Sequence, residues 1–426
     1  MFGLENAQSL LGILATMGIC WALSENRAAF PWKLALGAVG VQAALVLLLF
    51  GLPSSRAVLA AAGTVVDGLA GSTQAGVTFV FGFLAGGNGQ PYAVTNQSAL
   101  FVFAFRVLPV ILVICALSAL LWHWRILKWT IQGFGLLFQR MGLRGPPALA
   151  TAATVLMGQV EGPIFIRGYL PSLSRSELFL LLAVGMACVS GSTMVAYATI
   201  LKGVVPNVAA HVLTASVISA PAGVLLARIL VPRDAAVEAV ATDVMAADAR
   251  YESSIDALIK GVGMGLDICL KVGATLIVFV SLVAMVDGGL GLLAPVGGGP
   301  ITLERIFGVA FSPLAWCMGV PWKEAQAAGS LLGVKLMLTE FTAFFDLAKL
   351  GPDQLSERTR IIMTYALCGF ANIASVGINV AGYSILVPTR HREVMGMVWK
   401  AMLAGFLATC MTASVVGALP AALFAQ

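Results

Sequence analysis

Apolar runs of about twenty residues, the length that an α-helix needs to cross a bilayer, dominate the chain. Short polar segments separate these runs. They predict full spans at about residues 8–24, 34–52, 100–122, 178–201, 207–231, 264–287, 361–386 and 396–419. We therefore predict an all-α polytopic membrane protein with eight transmembrane helices.

One apolar stretch, from Ala148 to Ile166, does not have the pattern of a simple span. It carries a single charge, and helix-breaking and polar residues gather at its centre: Gly158, Gln159, Glu161, Gly162 and Pro163. Each flank is about ten residues, or about 15 Å of helix, which is half a bilayer. We predict a re-entrant hairpin whose polar tip lies at membrane depth, where irregular backbone needs cover from protein or a water-filled cavity.

A second interrupted stretch covers residues 322–348 and carries an isolated acid, Glu340. Its apolar pattern predicts a second broken element, interrupted by Gly329 and Gly333. Each broken element is followed by a span with small and polar residues at its middle. A hairpin followed by a broken span therefore occurs twice in the chain.

The spacing of the polar residues supports an internal repeat. Glu161 and Glu340 are 179 residues apart, and Ser192 and Asn372 are 180 apart. If the two repeats are inverted, their interface near the membrane midplane is the expected substrate site. A capping-box pattern that begins at Ser174 also predicts a helix start immediately after the first hairpin.

Charge asymmetry gives the predicted orientation. The segment 123–147 contains four Lys or Arg residues and no acid, and its apolar residues recur at helical spacing, which predicts a helix in the membrane interface. If this segment is cytoplasmic, most other basic loops also fall inside, provided that Ala148–Ile166 does not cross the membrane. The loop 349–360 is the exception. Both termini are then outside, as is 53–99, predicted to combine an interfacial helix with a loop.

Composition supports the membrane class and excludes other classes of protein. Of the 426 residues, 59% are hydrophobic and 11% charged, whereas a soluble domain carries about a quarter charged residues. The three histidines are dispersed and the seven cysteines form no CxxC pair, so neither a metal site nor a catalytic triad is indicated. The sequence contains no phosphate-binding glycine loop, so moving a solute uphill would require an ion gradient.

The two isolated acids are the main chemical signals. A carboxylate inside the bilayer costs several kcal/mol unless it is solvated, paired or protonated. Glu161 and Glu340 are therefore predicted to accept hydrogen bonds from a polar substrate or to titrate during coupling. The alternative is a buried ion pair with Lys271, Lys335 or Arg106.

The other polar residues also allow two interpretations. The side-chain amides of Gln159 and Asn372 each offer donors and acceptors, which suit the edge of a ring or hydroxyl groups. Such amides also form hydrogen bonds between membrane helices, which is the alternative interpretation. Ser190, Ser192 and Thr193 are either small interface residues or part of an unwound segment whose carbonyl groups bind Na⁺.

Several stretches resemble the concentrative nucleoside transporter family. GQVEGPIFIRGYL at 158–170 is similar to the family's hairpin pattern GQ-(T/S)-E-(A/S)-P. Similar matches are KLMLTEFTAFF at 335–345, ALCGFANIASVGI at 366–378, FVFAFRVLPVIL at 101–112 and VGATLIVFVSLVAMVDGGLG at 272–291. The resemblance covers residues 75 to 420 approximately, and the polar tips match in order.

The resemblance implies a homotrimeric elevator carrier of the bacterial inner membrane that imports a nucleoside by symport with Na⁺ or H⁺. It implies no cofactor, no enzymatic activity and no nucleic-acid partner. Four regions are expected. They are 1–145 (N-terminal spans, interfacial helices and part of the scaffold), 146–231 (first hairpin and following spans), 232–320 (interfacial helix and scaffold span) and 321–426 (second hairpin and last two spans).

Carried over position by position, the resemblance also implies which residues bind. The first hairpin would bind the nucleobase through Gln159 and Glu161, with Val160 at the neighbouring position. The second hairpin and the span after it would bind the ribose through Glu340, Asn372 and Ser375, with Phe370 lining the pocket. In sodium-coupled members the ion lies between the first hairpin and the broken span, which here points to Thr154, Met157, Ser192 and Thr193.

Three departures from the family pattern leave other hypotheses open. Val160 stands where relatives usually have Thr or Ser, Thr154 where sodium-coupled relatives often have Asn, and Lys271 where a neutral amide is common. The first departure motivates a free nucleobase or a modified nucleoside as the solute. A hypothesis from another class is an intramembrane hydrolase with Glu161 and Glu340 as its carboxylate pair, although neither metal ligands nor a nucleophile–base pair accompany them in sequence.

Overall fold

The computed structural model describes residues 3–85, 102–140, 143, 145–159, 161–164, 166–233, 251–293, 295, 300–420 and 423–424. The side chains of Leu4, Arg56, Ala62, Arg140, Glu161 and Ser192 lie outside this description. The regular secondary structure of the described residues is helical throughout, which confirms the predicted all-α class.

Eighteen α-helices run through the described part of the chain. In order they are α1 (Leu4–Ala22), α2 (Trp32–Gly51), α3 (Pro53–Phe81), α4 (Phe103–Arg106), α5 (Leu108–His123), α6 (Ile126–Arg140), α7 (Pro146–Met157), α8 (Glu161–Ile164), α9 (Arg175–Ala187), α10 (Gly191–Ile200), α11 (Val208–Leu230), α12 (Ser254–Leu290), α13 (Leu303–Cys317), α14 (Trp322–Met337), α15 (Glu340–Lys349), α16 (Glu357–Leu367), α17 (Ile373–Leu386) and α18 (His391–Ala418). Short turns of 3₁₀-helix connect some of them.

Several of the described helices are long and apolar enough to cross a membrane. Six meet this condition by length and composition: Trp32–Gly51, Pro53–Ala85, Phe103–His123, Val208–Leu230, Ser254–Leu290 and Pro388–Ala418. The pair α13 and α14, bent by 117°, makes a seventh if it is counted as one span. These helices agree with a multi-pass membrane protein, and the number eight stays a prediction.

Helix α3 occupies much of the segment 53–99, which was predicted to combine an interfacial helix with a loop. Helix α3 has 29 residues and is mostly exposed. The predicted loop falls largely on residues 86–99, which lie outside the described residues. The interfacial placement of this helix therefore stays a prediction.

Helical interruptions occur in all four elements that were predicted to be broken, and the internal repeat stays a prediction. Two of them follow α7 and α14, and the other two separate α9 from α10 and α16 from α17. The capping box that begins at Ser174 is also confirmed. The Ser174 hydroxyl accepts a hydrogen bond from Glu177 N at 3.2 Å, and Ser174 N donates to Glu177 Oε2 at 2.8 Å.

The chain folds back on itself at the first interruption. Gly158 has a φ of 128°, a backbone conformation that favours glycine. A Cβ atom added to Gly162 would be 2.8 Å from the Thr154 Cα and closer still to its hydroxyl. Eight residues of continuous helix would separate these two positions by about 12 Å, so the chain reverses between them.

The second interruption does not lie where the glycines predicted it. Helix α14 continues through Gly329 and Gly333 and ends at Met337, so the prediction that these glycines break it is wrong. They allow α13 to pack closely instead. A Cβ atom added to Gly333 would collide with the Phe307 side chain, and one added to Gly329 would collide with the Gly308 carbonyl oxygen.

The interruptions of the two broken spans lie against each other. Phe370 N donates a hydrogen bond to the Cys188 carbonyl oxygen at 3.3 Å. A Cβ atom added to Gly369 would be 2.8 Å from the Ala187 carbonyl oxygen, so this approach requires glycine. Each unwound segment thus supplies partners for backbone groups that the other leaves without a helical hydrogen bond, as an apolar surrounding demands.

The core is formed by α9, α11, α16 and α18, which are buried along most of their length. Helix α12 packs mainly on α5 instead, and glycines on α12 bring the two helices close. A Cβ added to Gly261 would be 2.7 Å from the Ala116 Cα, and one added to Gly265 would be 2.8 Å from the Leu112 Cα. The rest of α12 presents an exposed apolar surface.

We expect Gly162→Ala to destabilise the fold because the new methyl group would collide with Thr154 across the reversal. Overpacking of this kind costs about 1–3 kcal/mol. The melting temperature of the detergent-purified protein should therefore fall. Gly168→Ala is the matched control, since nothing lies within 4 Å of an added Cβ there. Equal melting temperatures for the two variants would contradict the close contact at the reversal.

Candidate functional site

A buried carboxylate connects three of the interrupted elements. Glu340 is the first residue of α15 and is 3% exposed. Its Oε1 accepts a hydrogen bond from the Tyr197 hydroxyl at 2.8 Å, and its Oε2 accepts one from Asn372 Nδ2 at 2.7 Å. The first turn of a helix also favours negative charge. Helices α10, α15 and α17 therefore meet at one acidic group.

Asn372 has two roles at this point. It is the N-cap of α17, and its Oδ1 accepts a hydrogen bond from Ser375 N at 2.8 Å. This contact directs the amide nitrogen of Asn372 toward Glu340. The residue that starts the second half of the broken span therefore also holds the carboxylate.

Gln159 joins the first interruption to the same helix. It follows Gly158 at the chain reversal and is 6% exposed. Its Nε2 donates to Ser375 Oγ at 3.3 Å, and its Oε1 accepts a hydrogen bond from Asn379 Nδ2 at 2.8 Å. Elements that are far apart in sequence are thus brought together. We call this cluster the polar junction: Gln159, Tyr197, Glu340, Asn372, Ser375 and Asn379.

Two members of the polar junction were missed by the sequence reasoning. Tyr197 lies four residues after Thr193, and Asn379 lies four residues after Ser375, so each continues the face of a residue that was predicted. That periodicity was the available signal. An aromatic residue in an apolar run is usually packing, which hid Tyr197.

The aromatic residues near Glu340 are mainly packing. Phe341 and Phe344 are buried against Tyr197, with ring centroids 4.9 and 4.6 Å from the Tyr197 ring. Phe370 lies in the unwound segment before α17 and is only partly buried. Of these three phenylalanines, Phe370 is therefore the one with surface left to contact a ligand.

The structure describes only some of the side chains that were predicted to bind the nucleobase. Val160 and the side chain of Glu161 lie outside the described residues. The backbone of Glu161 begins the short helix α8, directly after the reversal. The roles predicted for both residues stay predictions.

The predicted ion-binding residues lie around the end of α7 and the start of α10. The Thr154 and Thr193 hydroxyls each donate to a carbonyl oxygen of the preceding turn at 2.8 Å. Met157 is the last residue of α7, and the side chain of Ser192 lies outside the described residues. Within the described chain no cluster of three or more His, Cys, Asp or Glu residues is found, so the cation ligands on offer are hydroxyl and carbonyl oxygens.

A serine of α11 brings the two halves of this region together. Ser216 Oγ lies 3.5 Å from the Val155 carbonyl oxygen and 3.2 Å from that of Val189. The same hydroxyl accepts a hydrogen bond from Val189 N at 3.3 Å. The end of α7 is therefore adjacent to the break between α9 and α10, as the predicted ion site requires.

Among the described residues no ion pair to Glu340 is found, and both carboxylate oxygens accept hydrogen bonds from neutral donors. Lys335 is fully buried, but its Nζ donates to the Ala366 carbonyl oxygen at 2.8 Å and to Thr409 Oγ1 at 2.7 Å. It thereby satisfies a carbonyl group at the end of α16. Lys271 pairs with Asp267 at 2.6 Å on the exposed face of α12, away from the polar junction.

A cavity of about 1040 Å³ opens elsewhere, beside α3 and the turn after α10. Its lining includes Asp67 and Lys202, which form an exposed ion pair at 2.8 Å, and none of the predicted site residues. The chemistry therefore favours the polar junction, since fixed carboxylate and amide groups can hydrogen-bond hydroxyls and the edge of a heterocycle.

Three family models match the chain in consecutive segments. The N-terminal model of Na⁺ dependent nucleoside transporters matches residues 11–84, and the C-terminal model of the same family matches residues 211–417. A model described as nucleoside recognition matches residues 104–203 between them. The resemblance drawn from the quoted motifs is thus confirmed.

Individual relatives agree over the full length. The nucleoside permease NupC of Helicobacter pylori is 32% identical over 417 residues, which cover 96% of each chain. A structure of CNTnw in an inward-facing substrate-bound state is 36% identical, with a TM-score of 0.86 over 97% of each chain. A CNTnw variant in an outward-facing state is 35% identical, with a TM-score of 0.88 over 97% of each chain.

We expect Tyr197→Phe to destabilise the protein because it leaves a buried carboxylate oxygen without its donor. Such a loss costs about 1–3 kcal/mol. Tyr383→Phe is the matched control, since that hydroxyl is equally buried and has no partner among the described residues. Thermal unfolding of the purified protein should show a lower melting temperature for the first variant and an unchanged or higher one for the second. The reverse order would contradict the hydrogen bond to Glu340.

Proposed function

The chain belongs to the Na⁺ dependent nucleoside transporter family, and we propose that it imports nucleosides across the bacterial inner membrane by symport with Na⁺ or H⁺. The observation that carries this proposal is the Glu340 carboxylate, held at the meeting point of α10, α15 and α17. A buried acid that forms no salt bridge among the described residues is costly to keep, and we infer that a polar solute binds there.

The second hairpin would bind the ribose. A carboxylate has about four acceptor sites, and the hydrogen bonds from Tyr197 and Asn372 use two of them. The remaining acceptors of Glu340 suit the two vicinal hydroxyl groups of a ribose. Ser375 adds a hydroxyl one turn into α17, and Phe370 offers an apolar ring at the edge of the site.

The first hairpin would bind the nucleobase. Gln159 contacts the Ser375 hydroxyl, whereas Asn372 contacts the Ser375 backbone N–H, so in the hydrogen-bond network Gln159 lies beyond Ser375 from Glu340. Gln159 and Glu161 together offer donors and acceptors to the edge of a base. Val160 lies beside them without a hydroxyl, which makes the base preference a property to be measured.

The coupling cation would bind between the first hairpin and the first broken span. Hydroxyl and carbonyl oxygens are the ligands that hard cations prefer. Thr154, Met157, Ser192 and Thr193 are the proposed ligands, and Ser216 holds their two segments together. Occupation of this site would stabilise the hairpin that carries Gln159, which is a physical route for coupling ion and solute.

Transport would proceed by elevator-type alternating access in a homotrimer with eight transmembrane helices and inverted repeats. The regions 146–231 and 321–426 hold both hairpins and would supply the moving part, with some of 321–426 belonging to the scaffold. Support comes from the separate packing of α5 with α12, and from the inward-facing and outward-facing states in which the relative CNTnw is known. The exposed apolar surface of α12 suits lipid and neighbouring subunits, and both termini would face the periplasm.

The chain is not an enzyme, because its family and the relatives it matches are transporters. The carboxylate-pair hydrolase is therefore not pursued. Nothing in the described residues favours a free nucleobase over a nucleoside.

We expect Glu340→Gln to reduce nucleoside uptake by at least about tenfold, because the substituted amide replaces an acceptor for hydroxyl groups with a donor. Radiolabelled uridine or adenosine uptake into proteoliposomes under an inward cation gradient measures this effect. Glu324→Gln is the matched control. That glutamate is also buried, but it lies at the start of α14 and accepts a hydrogen bond from Ser356 Oγ at 2.9 Å.

Full uptake by Glu340→Gln would contradict the ribose assignment. An equal loss in both glutamate variants would mean that burial of a neutralised acid, and not substrate binding, explains the defect.

A further inference from the structure

The orientation of the Gln159 amide is determined by a residue outside the predicted substrate set. Asn379, on α17, is fully buried, and its Nδ2 lies 2.8 Å from Gln159 Oε1. The same nitrogen lies 2.9 Å from the backbone carbonyl oxygen of Ser375. One amide nitrogen therefore donates to both a backbone group and the candidate base-binding side chain.

The backbone carbonyl makes this orientation unique. A carbonyl oxygen can only accept, so the side of the Asn379 amide that faces Ser375 must be the nitrogen. The atom of Gln159 that faces this nitrogen must in turn be its oxygen, because two amide nitrogens cannot pair. The Gln159 nitrogen is thus left on the side of Ser375 Oγ, 3.3 Å away.

This chain of hydrogen bonds decides what Gln159 can offer a ligand. Asn379 fills one of the two acceptor sites of its oxygen, while its nitrogen has two hydrogens and only the long contact to Ser375 among the described residues. The orientation therefore favours Gln159 as a donor toward a ligand. The matching ligand edge carries an acceptor, such as a carbonyl oxygen or an unprotonated ring nitrogen.

A second observation points to a ligand at the same place. Asn379 Oδ1 is buried and has no hydrogen-bond partner within the described residues. A buried unpaired acceptor costs free energy, and native structures keep few of them. A donor from a ligand or a bound water would satisfy this oxygen.

We propose that Asn379 is a positioning residue of the nucleobase subsite, which fixes the Gln159 amide so that its nitrogen is left to donate to the base. This inference rests on the proposed nucleoside transport and deepens it. It specifies a base whose bound edge presents an acceptor to Gln159, such as the carbonyl oxygen of a cyclic amide.

The test is a double-mutant cycle on nucleoside uptake into proteoliposomes. Wild type, Asn379→Leu, Gln159→Ala and the double variant are compared for the KM and maximal rate of uridine uptake. Asn379→Leu should raise KM by about tenfold with little change in maximal rate. The double variant should be no worse than Gln159→Ala, because Asn379 acts through Gln159.

Specificity separates positioning from a general structural role. Removing the 2′-hydroxyl of the substrate should raise KM by the same factor in wild type and in Asn379→Leu, because the substitution does not alter the residues that bind the ribose. Uridine and cytidine differ at the amide edge of the base. The ratio of their KM values should therefore lie closer to one in Asn379→Leu than in wild type. Ser384→Ala is the control on α17, since its hydroxyl bonds outside the polar junction and KM should not change.

Asn379→Asp provides a second variant of nearly the same volume that lacks both N–H donors, should the leucine variant fail to fold. An unchanged KM in a folded variant, or multiplicative losses in the double variant, would overturn the inference. If wild type takes up no nucleoside at all, the proposed function fails instead, so the two failures are distinguishable.

Discussion

Helix breaks inside an apolar surrounding leave backbone groups that water cannot satisfy, and this constraint organises the whole molecule. Interruptions from both halves of the chain meet near the polar junction and exchange partners. Phe370 N donates to the Cys188 carbonyl oxygen, and Lys335 Nζ donates to the Ala366 carbonyl oxygen near the end of α16. Polar side chains are therefore required at this point for the fold to exist, before any ligand is considered.

The same constraint explains why a binding site can form here. One network joins the unwound segment after α7 to α10, α15 and α17, with Glu340 at one end and Gln159 at the other. Ser375 connects the two ends through its hydroxyl and its backbone. A solute with hydroxyl groups at one end and a heterocycle at the other matches this division, and the hydrogen bonds already present keep the site ordered when no solute is bound.

Much of this arrangement was predictable because membrane helices carry few polar residues, so each one stands out. The capping box at Ser174 and the interruptions beside Gln159 and Asn372 were read from local patterns and are present. The prediction failed where one residue type has two uses. Gly329 and Gly333 permit close packing of α13 and do not break α14, and a sequence alone does not tell these uses apart.

Other contacts could not be predicted because they join residues far apart in the chain. Tyr197 donates to Glu340 across 143 positions, and Asn379 donates to Gln159 across 220. Neither partner carries a local signal of the other. Periodicity places each of them on a polar helix face, but only the tertiary fold shows what that face meets.

The most direct test of the central claim is gradient-driven uptake by the wild-type protein in proteoliposomes. Radiolabelled uridine, adenosine, uracil and adenine would be compared under an inward Na⁺ gradient, in choline with an inward proton gradient, and without a gradient. The account predicts that at least one nucleoside accumulates above its external concentration under a cation gradient and that the free bases do not. Accumulation of a free base in preference to its nucleoside, or of no solute under either gradient, would contradict it.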